Sequence, residues 1–258
     1  MEIAVIGDGS LGRTIAAAIY ERGDGALVLG RPAAGRHDPS AFRGCGAAIE
    51  ASRGPAVAGN VAAAIAGGVQ HFVIATTAWE SDRAAVAREL GAAGAVAVVA
   101  PNLSVGICLF GRLVDAAVAL LGPVETFDPY LVEWHRRGKT DRPSGTARAI
   151  AGRIVRAHPR VRAITESPAA SSSPAALEVV GVRAGANPGS HLVGFDGPGE
   201  TIELRHLARD RSAYAAGALA ALDWLLAAPR APGIHSFDAV VDDLLDRWPV
   251  PETAAAGR

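Results

Sequence analysis

The stretch VIGDGSLGR, Val5 to Arg13, closes a short β-branched run, EIAVIG, and opens a segment of helical spacing, LGRTIAAAIYERG. A chain that passes from a buried strand into a helix through Gly7-x-Gly9-x-x-Gly12 has few folds open to it. Gly7 permits the tight turn, Gly9 lets a pyrophosphate approach the backbone, and Gly12 lets helix and strand pack closely. The first helical turn, beginning at Ser10 and Leu11, offers unpaired N–H groups and a partial positive charge to phosphate. In a chain with 30 glycines the pattern alone is weak, so the segments downstream of the loop decide.

Those segments alternate regularly. ALVLG, GAAIEAS, HFVIATT and AVAVVAPN read as further strands, and NVAAAIAGG and SDRAAVARELGAAG as helices between them. Strands that are apolar along their whole length and alternate with helices imply a parallel sheet covered on both faces. The expected fold class is α/β. A Rossmann-like dinucleotide-binding domain spans 1–105, and residues 212–258 return to it as an amphipathic tail, FDAVVDDLLDRW. Residues 106–211 differ. Two helices, VGICLFGRLVDAAVALLG and SGTARAIAGRIVRAH, flank a strand, TFDPYLVEWH. LEVVGVRAG, SHLVGFDG and ETIELRHLA are expected as an antiparallel meander, with GPGE turning the last two. This is an α+β domain with a mixed or antiparallel sheet, suited to substrate binding and oligomerisation. The Ser/Pro/Ala-rich segment 165–176 is expected to be a mobile loop.

Ligands of an open parallel sheet bind at the carboxyl ends of its strands. Ala75, Thr76 and Thr77 follow one strand, and Pro101, Asn102 and Leu103 another. Folds that prefer NAD place Asp or Glu after the second strand, where it binds the ribose 2′-hydroxyl. Here that strand ends in Gly30-Arg31, with Arg36 close behind and no carboxylate at the spot. Arg31 suits a 2′-phosphate, because its fork can grip a dianion. NADPH is the expected cofactor, with NADH as the alternative.

A second feature stands out. EWHRRGKTDRPSGTARAIA, Glu133 to Ala151, holds eight ionisable residues within sixteen positions of a mostly apolar chain. Ser144 can cap a helix after Pro143. The amides of Gly145, Thr146 and Ala147 are then expected to be unpaired, and with the Thr146 hydroxyl they form a small anion site. Arg136 and Lys139 add positive charge. One carboxylate fits there, and a second needs another cation. His135 is a side chain of the kind that moves protons at neutral pH, and Lys139 is a candidate proton donor.

The rest of the sequence excludes more than it adds. A net charge of −1 gives no reason to expect a nucleic-acid partner. The apolar runs are too short to span a bilayer, and MEIAVIG, with an acid at position two, is no signal peptide. Cys45 and Cys108 lack metal-type spacing and are expected as buried thiols in a reducing compartment, so the expected location is cytoplasmic. His191 and His206 fall near Glu203 in expected strands, but the spacing is not diagnostic and no metal is expected. His158 and His235 are expected in exposed loops. Tyr130 has no evident partner, and Trp79 suits either core packing or a cofactor cover.

EWHRRGKTDRPSGTA resembles the signature E-x-H-H-x-x-K-x-D-x-P-S-G-T-A of the dihydrodipicolinate reductases, enzymes of lysine and diaminopimelate formation. ATTAWES resembles that family's G-T-T-G-F segment, and APNLSVGICL its A-x-N-F-S-x-G segment. GVRAG and GETIELRHLARDRSAYAAGAL resemble its late strands and the following helix. The resemblance implies an NADPH-dependent reductase of a cyclic dicarboxylate imine, acting as a homotetramer built through the second domain's sheet. It implies that His135 and Lys139 are catalytic, with Lys139 the general acid. It implies that Ser144, Gly145 and Thr146 hold one substrate carboxylate, with Arg136 beside them and Arg211 meeting the other. Arg136 stands where the family has a second histidine. EASRGP replaces the family's D-F-T-x-P, Ala75 and Ala78 replace glycines, and the glycine loop is one residue shorter. The two alanine methyl groups are expected to crowd the nicotinamide. These departures keep two alternatives open: a paralogue reducing another cyclic imine in secondary metabolism, and a non-catalytic NADPH-binding regulator.

Overall fold

A computed structural model describes residues 1–32, 36–166 and 173–247. Half of the expected loop at 165–176 (residues 167–172), and the tail from Trp248 onward, lie outside the described residues. The chain divides into two compact units, Met1–Leu103 with Tyr214–Arg258, and Ser104–Ala213.

The first unit is a parallel sheet of six strands: β1 (Glu2–Ile6), β2 (Gly25–Leu29), β3 (Ala47–Glu50), β4 (His71–Ile74), β5 (Val96–Val99) and β11 (Gly233–Ser236), in the order β11-β5-β4-β3-β1-β2. Helices α1 (Ser10–Glu21), α2 (Val57–Ala66), α3 (Arg83–Ala92), α6 (Ser212–Ala227) and α7 (Phe237–Asp246) belong with it. Alternation along β1 shows why both faces need cover. Ala4 and Ile6 enter a core with Phe42, Val61, Phe72 and Leu90, while Ile3 and Val5 are fully buried on the opposite face. Chain order reverses beside β1, which β2 and β3 flank. Such a reversal opens a crevice at the strand ends. The α/β class and the Rossmann-like sheet match the expectation. The edge strand β11 was not anticipated: GIHS is short and carries only one strongly apolar residue.

The second unit contains α4 (Val105–Leu121), β6 (Asp128–His135), α5 (Gly145–Ala157), β7 (Ala163–Thr165), β8 (Ala176–Arg183), β9 (Gly189–Asp196) and β10 (Thr201–Ala208). Its sheet runs β10-β9-β6-β8-β7. This corrects the expected meander. β8 and β9 are not neighbours, because β6 lies between them, parallel to β8 and antiparallel to β9. The β9–β10 hairpin is as expected, closed by Gly197 N–H donating to the Glu200 carbonyl at 2.9 Å. Ile107, Phe110, Val114 and Val118 of α4 share a core with Ile150 and Ile154 of α5 and with Leu131, Val179, Val193 and Phe195 of the sheet. β6 alternates accordingly: Leu131, Glu133 and His135 are buried, and Trp134 between the last two is exposed. Two ionisable side chains are therefore buried on the same face of β6 as Leu131.

Ala78, one of the alanines in place of a family glycine, has φ +61°. Its methyl group matters through the backbone, since the left-handed region costs a non-glycine residue roughly 1–2 kcal/mol. Glycine removes that strain but gains freedom in the unfolded chain. Ala78→Gly is expected to raise unfolding stability by up to about 1 kcal/mol. Ala75→Gly, away from the left-handed region, is expected to lower it. Urea unfolding of both variants checks the pair.

Candidate active site

The glycine loop has the geometry a dinucleotide needs. Gly7 has φ +119°, and its N–H donates to the Leu29 carbonyl at 2.8 Å. A Cβ on Gly12 would lie 1.9 Å from the Gly7 carbonyl oxygen, whereas one on Gly9 would meet nothing within 4 Å. Gly12 thus serves helix–strand packing, and Gly9 leaves open space at the N-terminus of α1. Ser10 opens that helix exposed, and Leu11 is half-buried. These features fit a pyrophosphate-bearing carrier. Arg31, beyond β2, is exposed, as are Thr77 and Pro101, while Ala75 is half-buried.

Two of the cofactor candidates turn inward. Leu103 is buried. The Thr76 hydroxyl donates to the carboxylate of Glu50, and the Thr76 carbonyl accepts from Trp79 Nε1 at 2.9 Å. Trp79 is core. Asn102 takes part in an interaction of its own. Glu50 was missed by sequence reasoning. It is fully buried at the end of β3 and also accepts from the Ser52 hydroxyl and from Asn60 Nδ2 at 3.0 Å. A carboxylate closing the apolar run GAAIEAS was the available signal.

In the second unit, Glu133 organises the charged stretch. It is 0% exposed. Its Oε1 accepts from Arg183 Nη2 at 2.5 Å and from the Ser144 N–H at 2.9 Å. Its Oε2 faces His135 Nε2 at 3.3 Å and His191 Nε2 at 3.8 Å. His135 Nδ1 lies 3.1 Å from the Pro188 carbonyl oxygen, while Nε2 faces Glu133 Oε2 without a hydrogen bond. Burial alone would raise the Glu133 pKa, but the nearby His135 ring and the hydrogen bonds from Ser144 and Arg183 outweigh it and hold the carboxyl well below the usual range. His191, packed edge-on against His135 with ring centroids 5.4 Å apart, is lowered to about 4, by burial first and by the charge of His135 second, against the pull of Glu133. Donor atoms of Glu133, His135 and His191 all lie within 4.8 Å of one another. His191 therefore joins Glu133 rather than Glu203, which instead accepts from the Tyr130 hydroxyl at 2.9 Å. The buried phase of β6 and β9 was the missed signal for Glu133 and His191.

Ser144 caps α5, its Oγ accepting from the Ala147 N–H at 3.1 Å. That corrects one expectation, since the cap consumes the Ala147 amide. No acceptor is seen for the Gly145 N–H among the described residues, and Thr146 makes an interaction of its own. Lys139 is half-buried, with Nζ 2.8 Å from Asp141 Oδ1. Its charge contributes to lowering the His191 pKa. Arg136 is exposed in the turn after β6, and Arg211 is exposed in the loop before α6. The structure brings together His135, Ser144, His191, Glu133 and Arg183; no direct contact joins Arg136 or Arg211 to them among the described residues. His158, expected in an exposed loop, is buried, and its Nδ1 accepts from the Arg160 and Val161 amides. His235 is half-buried on β11. Cys45 is buried as expected, but Cys108 only partly so.

Comparison with known proteins bears on the family and the fold. A model of the family "Dihydrodipicolinate reductase, C-terminus" matches residues 106–241. The chain belongs to the dihydrodipicolinate reductase family. It is 35% identical over 208 residues to 4-hydroxy-tetrahydrodipicolinate reductase of Thiobacillus denitrificans, covering 78% of this chain and 75% of that one. It is 37% identical over 174 residues to the Myxococcus xanthus reductase, covering 66% of this chain and 62% of that one. A solved structure of dipicolinate-bound dihydrodipicolinate reductase from Paenisporosarcina sp. TG-14 superposes with TM-score 0.69, at 17% identity, over 92% of this chain and 97% of that one. At that identity the likeness concerns the fold. Among the described residues no helix is long and apolar enough to cross a membrane.

The His191 shift has a sign. Its folded pKa, about 4, lies below the ordinary value of 6.5. Between those two values the unfolded chain binds more protons, so stability is full above pH 6.5 and falls as pH drops toward 4. The loss attributable to this ring is at most about 3 kcal/mol. Urea unfolding at pH 7 and pH 4.5 is expected to show the drop in the parent chain and a smaller one in His191→Gln. Equal drops in the two proteins would contradict the assignment.

Proposed function

We propose that this chain is a nicotinamide-dependent 4-hydroxy-tetrahydrodipicolinate reductase of lysine and diaminopimelate formation, acting in the cytoplasm on a cyclic dicarboxylate imine. The supporting observation is the β6–α5 connection. It begins with a buried imidazole set against the Pro188 carbonyl, carries a half-buried lysine at its middle, and closes on a helix N-terminus with the Gly145 amide open. Family membership then selects the reaction from among those such a site can perform.

A nicotinamide nucleotide, when bound at Gly7, Gly9 and Gly12, supplies a hydride. NADPH is the preferred form on the strength of Arg31, with NADH as the alternative. The chain's own groups do the rest. Gly145 and Thr146, at the positive end of α5, hold one substrate carboxylate, and Arg136 or Arg211 meets the second. Hydride addition at the far end of the conjugated imine leaves a nitrogen-stabilised anion on the ring. Lys139 Nζ protonates it, and the Lys139–Asp141 pair keeps that ammonium in place beforehand. His135, held by Pro188 and Glu133, orients the ring and handles the proton that restores Lys139.

The outward face of the second sheet supports self-association. Trp134, Val180, Val182 and Leu207 are exposed there, Trp134 to 40%. Such a face suits a second copy of the chain, and a homotetramer through it is part of the proposal. Val182→Glu is expected to shift the protein to smaller species in size-exclusion chromatography with light scattering. An unchanged mass would remove this face from the assembly.

Lys139→Ala tests the chemistry. With NADPH and enzymatically generated dihydrodipicolinate, turnover followed at the nicotinamide absorbance is expected to fall roughly 10²–10⁴-fold, while nucleotide affinity hardly changes. Near-normal turnover would take Lys139 out of the proton-donor role.

A further inference from the structure

The end of β2 holds a carboxylate that the linear sequence conceals. Residue 30 is glycine, so the position that reads the adenine ribose in related sheets has no side chain of its own. Asp8, from the glycine loop, fills the space. A Cβ placed on Gly30 would lie 3.2 Å from Asp8 Oδ2 and 3.5 Å from Asp8 Cγ. The backbone enforces this approach. Ile6 stands opposite Leu29 in the β1–β2 pairing, and the Gly7 N–H bonds to the Leu29 carbonyl at 2.8 Å. Asp8 is the next residue along. It is exposed and holds no hydrogen bond or ion pair among the described residues, and the same is true of Arg31 just beyond Gly30.

A carboxylate that reaches Gly30 and an arginine at the next position, neither with a protein partner among the described residues, therefore share the end of β2. Their preferences oppose each other. A ribose 2′-hydroxyl can donate to a carboxylate, whereas a 2′-phosphate is repelled by it and gripped by a guanidinium. We infer that Asp8 is the ribose-reading residue of this chain, binding the 2′-hydroxyl of NADH, so that Asp8 against Arg31 sets the choice of nucleotide. This rests on the nicotinamide-dependent reading above.

The test is direct binding of NADH and NADPH to the full chain by isothermal titration calorimetry, with no imine present. Asp8→Ala is expected to weaken NADH about ten- to hundredfold, the scale of a lost charge-assisted hydrogen bond, and to leave NADPH unchanged or tighter. Asp8→Asn keeps an acceptor without the charge, so NADPH should tighten while NADH weakens less. Arg31→Ala should move the ratio the opposite way. Circular dichroism melting confirms that the variants fold, as substitution at an exposed residue allows. If the parent chain binds both nucleotides and Asp8→Ala shifts neither, or both equally, the inference is overturned and the proposed function stands. If the parent chain binds neither nucleotide, the proposed function falls, and the inference with it.

Discussion

The second unit depends on how it accommodates one buried negative charge. Taking a carboxylate out of water costs several kcal/mol unless its oxygens are satisfied. Glu133 meets that demand at Oε1, through Arg183 from β8 and the Ser144 amide at the mouth of α5, while Oε2 faces the rings of His135 and His191 without a hydrogen bond. The Ser144 bond matters most for the site. It fixes the residue that in turn caps α5 through the Ala147 amide. The position of the helix end, and of the Gly145 amide beside it, is thus slaved to a charge in the core. His135 leans on the same carboxylate, so the proton-handling ring and the anion-binding end share one anchor.

The first unit repeats the device with hydroxyl and amide donors in place of an arginine. Glu50 closes β3 and gathers Ser52, Asn60 and Thr76 around it. The loops after β3 and β4 are thereby tied together at the carboxyl edge of the sheet, where a parallel fold binds its ligand. The Gly7 turn is pressed against this point as well, since a Cβ there would lie 2.6 Å from the Ala51 carbonyl oxygen. Thr76 thus acts as a strut of the crevice wall, with its hydroxyl committed to Glu50.

Much of this was legible in the sequence, and the reasons differ by level. Strand–helix alternation and the glycine loop announced the parallel sheet, because continuous apolar runs and close backbone approach leave direct marks on residue choice. The second sheet was read less well. Period-two patterns identify strands but not neighbours, so β6 could not be seen to enter between β8 and β9. Within the site, His135, Lys139 and the Ser144 cap were found because they are adjacent in sequence. Glu50, Glu133, Arg183, His191 and Asp8 matter through contacts made across strands. Each had a local sign, a charged or ionisable residue in buried phase or a polar residue inside a glycine turn, but its partner became evident only in three dimensions.

The departures from the family pattern sort by what they touch. Arg136, replacing a histidine, lies exposed outside the Glu133 cluster, so the exchange leaves the fixed ring of His135 intact. Around Glu50 the changes are of two kinds, since Ala51 stands where the family has an aromatic while the carboxylate and the hydroxyl beside it are kept. The chain carries one methylene more than the family's aspartate, and Ser52 one methyl less than its threonine, while the hydroxyl that reaches the carboxylate is kept. Ala78 is different. It holds a left-handed φ, and its carbonyl sits where a Cβ on Gly54 would fall, at 1.9 Å. Residue 54 must therefore stay glycine for the loop to keep its course. The strain at Ala78 is stored in a loop at the carboxyl edge of the sheet, a place where proteins retain strain that shapes a ligand site.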